Sequence, residues 1–153
     1  MSLKVNSKNE RGAELLEFAL VLPLLLLLVL GAIEFGRAYF TYNILAKATR
    51  DGARYAATSE VSSTGTLDAT ALTKSKNVVV FGNSSGTGTK KILDLQTNQV
   101  TVTQTFVTPF EQYTNVTVAY PYQPLFSLIL PATITMRPSV RMQFVGRIVF
   151  PTS

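Results

Sequence analysis

Phe18–Ile33 reads FALVLPLLLLLVLGAI, sixteen residues without a charged side chain. Taken back to Leu15, with only Glu17 interrupting, the run is nineteen residues, about 28 Å long as a helix at roughly 1.5 Å per residue. A bilayer's hydrocarbon core is about 30 Å thick. A helix apolar on every side is buried in lipid or in other protein, so a membrane helix is expected over about 15–33. The rival reading, a secretory signal with Lys4, Lys8 and Arg11 as its basic end, fits less well. The apolar run is long for that purpose, Glu17 stands at its start, and no small-residue cleavage site follows. Pro23 interrupts the run, removes the bond to the Ala19 carbonyl and predicts a local kink of a kind that membrane helices tolerate.

Beyond Ile33 the chain continues EFGRAYFTYNILAKATRDGARYAAT, to Thr58, without a proline. Apolar or aromatic residues at Ile33, Phe40, Ile44, Ala48 and Tyr55 recur near helical spacing. Lys47 and Asp51 are four apart and Asp51 and Arg54 three apart, spacings at which side chains pair on one face. One long helix over about 12–58 is therefore expected, its second half amphipathic and outside the lipid. Glu34 and Arg37, at i and i+3, mark the far membrane edge as a solvated pair or an assembly contact. Arg50, Asp51, Gly52 and Arg54 form a charged patch around a glycine suited to close approach, which would dock the helix on its own sheet or on a partner.

The remainder is polar and rich in threonine. SEVSSTGT (59–66) reads as a break, and TLDATALTKSKNVVVFG as a second helix with Thr66 as N-cap, Asp68 in its first turn and Gly82 ending it. In that helix Leu67, Ala71, Leu72, Ser75, Val78 and Val79 share a face; a strand over Val78–Phe81 is the rival. GNSSGTGT (82–89) reads as a flexible loop, without the strand-then-helix setting of a phosphate-binding loop. Then the period becomes two: QVTVTQTFV puts Val100, Val102 and Phe106 on one face, and NVTVAYPY places Val116, Val118 and Tyr120 together. ATITM and SVRMQFVGRIVF follow the same rule, with turns at Thr108–Pro109, around Pro121 and Pro124, and at Pro131. The prediction is an α+β fold: a long transmembrane and amphipathic helix packed on a three- or four-stranded antiparallel sheet. The stretch Tyr120, Pro121, Tyr122, Pro124, Leu125 and Phe126 reads as a domain corner.

Composition narrows the function. The chain of 153 residues carries a formal charge of +5 and neither cysteine nor histidine. A disulfide framework and cysteine-based zinc sites are excluded, and the commonest general base and metal ligand is missing. The basic residues are scattered, with Lys90-Lys91 the longest run, so no stripe favours nucleic acid. Ser75 is flanked by Lys74 and Lys76, but adjacent residues on a helix do not face each other, and no dyad results. The chain reads as a non-enzyme without metal or cofactor, whose first partner is the lipid bilayer. The basic residues on both flanks leave the positive-inside rule undecided; the short N-terminus is the simpler end to leave in the cytoplasm.

The N-terminal third closely resembles the signature of TadE-like proteins of the bacterial tight-adherence (Tad) pilus system. The shared features are RGA (11–13), EFALVLP (17–23), the apolar run, EFGR (34–37) and RDGAR (50–54). VTVAYPYQPLFSLILPATITM further resembles the family's V-x-V-x-Y-P-[YF]-x-P-L-F segment. The resemblance implies a pilin-like fold and a pseudopilin or minor pilin in the bacterial inner membrane, N-terminus cytoplasmic, with other pilins, the Tad membrane machinery and a prepilin peptidase as partners. By that resemblance the peptidase cuts after Gly12, Ala13 becomes the N-terminus, and Glu17 is the fifth mature residue, followed by Phe18 where major pilins carry tyrosine. Residues 1–12 would then be a cytoplasmic leader, 13–58 the long helix and 59–153 the exported domain. A neighbour's Ala13 ammonium could pair with Glu17, a carboxylate that is costly at a hydrocarbon edge unless it meets water or a cation. The competing function is a membrane-tethered adhesin module that never enters a filament.

Overall fold

The computed structural model describes residues 7–61, 66–92, 94–108, 111–125 and 133–145. Helix α1 (Ser7–Ala57) is unbroken, with Pro23 inside it. Every residue from Gly12 to Val29 is exposed. Burial begins at Glu34 and then recurs at Leu45, Ala48, Thr49, Gly52, Ala53, Ala56 and Ala57. Of the apolar positions whose spacing marked the amphipathic half, Ala48 is buried, Ile44 and Tyr55 are half-buried, and Ile33 and Phe40 are exposed; small residues make most of the inner face. Small side chains let the helix lie close to the domain. Thr49, fully buried, satisfies its hydroxyl on the Leu45 carbonyl at 2.7 Å, which lets a polar residue sit in the core. The helix ends where Thr58 and Ser59 turn their hydroxyls back onto the Arg54 and Tyr55 carbonyls, capping groups that the helix leaves unpaired.

Helix α2 (Ala69–Phe81) is capped by Asp68, whose side chain accepts from the Thr70 N–H at 3.3 Å. The cap is thus two residues later than Thr66, because Leu67 is in a bridge with Val61 and donates its N–H to Gln104 Oε1 at 2.7 Å. Gly82, at φ 80°, closes α2 with its N–H on the Val78 carbonyl, and Val78–Phe81 is helix rather than strand. The loop after it is organised around Asn83, whose Oδ1 accepts from Gly86 N and whose Nδ2 donates to the Thr87 carbonyl.

A single 3-10 turn (Thr97–Gln99) leads into strands β1 (Val100–Thr108), β2 (Glu111–Val118), β3 (Tyr120–Tyr122), β4 (Ile134–Met136) and β5 (Ser139–Gln143). They make two antiparallel sheets, β1-β2-β5 and β3-β4. The one expected sheet is split at Ala119, whose N–H turns aside to the Gln99 carbonyl while Val118 N–H bonds the Pro138 carbonyl. Pro121, expected in a turn, sits inside β3, which among the described residues pairs only with β4, so its missing N–H is tolerated. Pro109, Phe126, Pro131 and the Gly146–Phe150 part of the last expected strand lie outside the described residues, as do 62–65 of the polar break.

Register sets the core. Val100 faces Val118, Val102 faces Val116, and Val116 faces Val140. The inner face presents these valines to Leu45, Ala48 and Ala53 of α1 and to Val79 and Val80 of α2, with Leu95, Tyr120 and Tyr122 completing the cluster. Phe106, at the strand's far end, is exposed instead of joining Val100 and Val102. The outer face is polar: Thr117 and Ser139 share a hydrogen bond at 2.9 Å, and the Arg141 guanidinium lies 4.1 Å from the Tyr113 ring centre.

Gly52 is where α1 and α2 touch. A Cβ there would collide with Val79 Cγ2 and lie 3.3 Å from the Ser75 carbonyl, while Ser75 Oγ donates to the Gly52 carbonyl at 3.0 Å. Gly52→Ala gains about 0.8–1 kcal/mol of helix propensity but forces apart two helices at a stiff, buried valine, at about 1–3 kcal/mol. We expect net destabilisation, seen as a lower thermal or urea midpoint in detergent; an equal or higher midpoint would show slack between the helices.

Candidate functional site

The long helix meets the domain first at Glu34. Its side chain follows directly on the apolar run, yet it is only 1% exposed. Its Oε1 accepts from Arg37 Nη2 at 3.0 Å, one helical turn away, and from the Tyr122 hydroxyl at the end of β3. Its Oε2 accepts from the Leu125 backbone N–H at 3.1 Å. Arg37 completes the clamp by donating to the Gln123 carbonyl and lying with its guanidinium carbon 4.8 Å from the Tyr122 ring centre. A carboxylate is tolerable here because both of its oxygens are bonded and its charge is paired.

The titration of the two acids follows from that geometry. The Tyr122 hydroxyl, foremost, then Arg37 and the Leu125 N–H hold the Glu34 carboxyl below its ordinary value, against the opposing effect of burial. Burial, and after it the Glu34 carboxylate, pushes the Tyr122 hydroxyl up to about 12. At neutral pH the clamp therefore joins an ionised glutamate to a neutral tyrosine.

Glu34 and Arg37 thus do pair, as their spacing suggested, but as an enclosed contact between helix and domain rather than a solvated pair. Arg50 and Arg54 are exposed. Asp51 is bonded to neither Lys47 nor Arg54 but to Lys91, Oδ2 to Nζ at 2.9 Å, which ties the loop after α2 back to α1. Gly52 docks on α2, not on the sheet. Gly12, Ala13, Glu17, Phe18 and Pro23 all lie exposed on the free half of α1. Tyr122 and Lys91 are the partners that sequence reasoning missed. For Tyr122 the signal was a tyrosine flanked by prolines near a strand end; for Lys91 there was none.

Among the described residues no cluster of three or more His, Cys, Asp or Glu side chains could hold a metal ion. An open polar groove between α2 and the 3-10 turn, lined by Thr73, Lys76, Asn77, Thr97 and Asn98, holds no acid–base pair. The conspicuous surface is instead the apolar side of α1, exposed from Leu15 to Val29 and again at Ile33, Phe35, Tyr39, Phe40 and Tyr42.

Residues 12–54 match the family model of TadE-like proteins. The TadE-like segment covers the apolar run, the Glu34–Arg37 pair and the Gly52 contact, and stops short of the sheet. Over that segment, less than a third of its length, the chain is similar to TadE-like proteins. No curated protein and no solved structure matches the chain. Among the described residues one helix, over Gly12–Ala57, is long and apolar enough to cross a membrane, which fits a membrane protein.

Two outcomes follow for the clamp. Tyr122→Phe removes one hydrogen bond to a buried carboxylate and should cost about 1–3 kcal/mol, read as a lower unfolding midpoint in detergent; an unchanged midpoint would mean that the clamp holds nothing. The pH dependence has a definite sign. Because Glu34's folded pKa lies below its unfolded one, its contribution is present above the ordinary carboxylate value and lost as pH falls through the folded value. Because Tyr122's is raised, its contribution is present below about 10 and lost as pH rises towards about 12. Unfolding midpoints against pH should show both limbs, and Glu34→Gln should flatten the acid one.

Proposed function

We propose that this chain is a pseudopilin or minor pilin-like structural component of a Tad-type pilus or of its assembly machinery, working through helix packing rather than turnover. The observation that carries the reading is the fully exposed apolar half of α1 inside a TadE-like segment. Outside a membrane such a surface is unsustainable; inside one, it is the rod by which neighbouring subunits and machine parts hold this one. In this reading residues 1–12 are a cytoplasmic leader, 13–58 the packing helix and 59–153 the domain carried across the inner membrane.

Processing belongs to the same reading. A prepilin peptidase cleaving after Gly12 leaves Ala13 with a free ammonium. Glu17, four residues on and unclaimed by the domain, is placed to accept a neighbouring copy's ammonium and so to set the axial register of a helix bundle. The domain-side carboxylate, Glu34, is already occupied, whereas Glu17 stands exposed on the free half of α1.

The test is intact-mass measurement on protein recovered from membranes and from sheared pili. Loss of residues 1–12, with the shortened chain present in the pilus or its assembly platform, is the expected result. Retention of Met1 through Gly12 on all molecules, with none in pili, would instead identify a membrane-tethered module that stays out of the filament.

A further inference from the structure

From Leu15 to Ile33 the run is about 28 Å long as a helix, close to the roughly 30 Å hydrocarbon core, so its end at Ile33 stands at the far edge of the hydrocarbon. The next charged side chains, Glu34 and Arg37, are paired with each other; Glu34 is enclosed by Tyr122 and Leu125, while Arg37 stays partly exposed, and the charge after them is Lys47. On the side of α1 turned away from the domain, the surface therefore stays apolar and aromatic past Glu34. Phe35, Tyr39 and Tyr42 stand at i, i+4 and i+7, 73%, 61% and 45% exposed, and the Phe35 and Tyr39 rings stack with centroids 6.4 Å apart. Phe35 to Tyr42 rises about 10 Å, comparable with the headgroup layer, where tyrosine is enriched.

The domain shows apolar groups at that same level. Leu125, whose N–H bonds Glu34, is 65% exposed, and Ile134, paired with Tyr122 across the β3-β4 ribbon, is 41% exposed. The other end of the domain is remote: the Val145 N–H bonds the Ala57 carbonyl, about 34 Å further along α1 at roughly 1.5 Å per residue.

We propose that the domain is seated directly on the bilayer surface. Phe35, Tyr39 and Tyr42 form an interfacial belt, and Leu125 and Ile134 enter the headgroup layer beside it. The Glu34 clamp encloses the charge that would otherwise force the helix out of the lipid at that depth. The proposal rests on the reading of residues 15–33 as a membrane span. Its ligand is the lipid surface, not a second protein.

The absence of native cysteine allows a clean test. Single variants Leu25→Cys, Tyr39→Cys, Leu125→Cys, Ile134→Cys and Thr105→Cys of the full-length protein, each carrying one fluorescent label, are reconstituted in phosphatidylcholine–phosphatidylglycerol vesicles. Each is quenched by spin-labelled lipid and, separately, by aqueous iodide. Leu25 reports the span, Thr105 the far end of the domain, and Tyr39 gives a reading independent of any change at the ribbon. The expected result is severalfold stronger lipid quenching at Leu125, Ile134 and Tyr39 than at Thr105, with iodide reaching Thr105 alone. Iodide reaching Leu125 and Ile134 as readily as Thr105, with Leu25 still quenched by lipid, overturns the seating while leaving the span intact. Shielding of Leu125 and Ile134 from both quenchers overturns it in favour of a protein partner. Failure of lipid to quench Leu25 removes the span itself.

Discussion

A carboxylate enclosed at the end of an apolar run fixes how this molecule is put together. Glu34 is the first charged residue after Ile33, and nothing within its own helix except Arg37 can neutralise it. A single glutamate at the edge of hydrocarbon is expensive unless it is paired and fully hydrogen-bonded. The remaining bonds come from residues far along the chain, the Tyr122 hydroxyl and the Leu125 N–H. The constraint runs both ways: the carboxylate is tolerated because the ribbon covers it, and the ribbon is held at that height because the carboxylate is there.

The two halves of α1 obey two different solvents. From Leu15 to Val29 its side chains are mostly large, aliphatic and exposed, as lipid or neighbouring helices require. Past Glu34 the helix is two-faced, with aromatic residues outside and alanine, threonine and glycine inside. The small residues give close approach, most plainly at Gly52, where α2 leaves no room for a Cβ. The TadE-like segment runs on to residue 54 and so includes Gly52, where α2 docks. The free half and the seated half are continuous, so whatever grips the rod in a membrane moves the domain with it.

A long helix apolar enough to cross a membrane was legible from the sequence, because sixteen consecutive uncharged residues continue without a helix-ending signal into an amphipathic stretch, although the helix begins at Ser7, earlier than about residue 12. The alternation of valine with threonine made β1 and β2 equally plain, since a period of two follows from the pleat itself. The inner face of α1 was legible only in part, at Ala48. Spacing alone does not separate an aromatic residue facing lipid from one facing a core, and Ile33 and Phe40 were as well spaced as the alanines that do the packing. The N-cap of α2 was also misplaced, from Thr66 to Asp68, because a bridge between Val61 and Leu67 delays the helix start.

Local sequence thus determined which elements form and that one of them is long and apolar enough to cross a membrane, through periodicities and propensities that act within a few residues. Only the tertiary structure decided what those elements hold. Tyr122 reaches Glu34 across 88 positions, Lys91 reaches Asp51 across 40, and the expected single sheet divides at Ala119 so that β3 can turn towards the clamp. Such pairings have no period and no short-range signature. They arise because a buried charge must find its partners wherever the folded chain brings them.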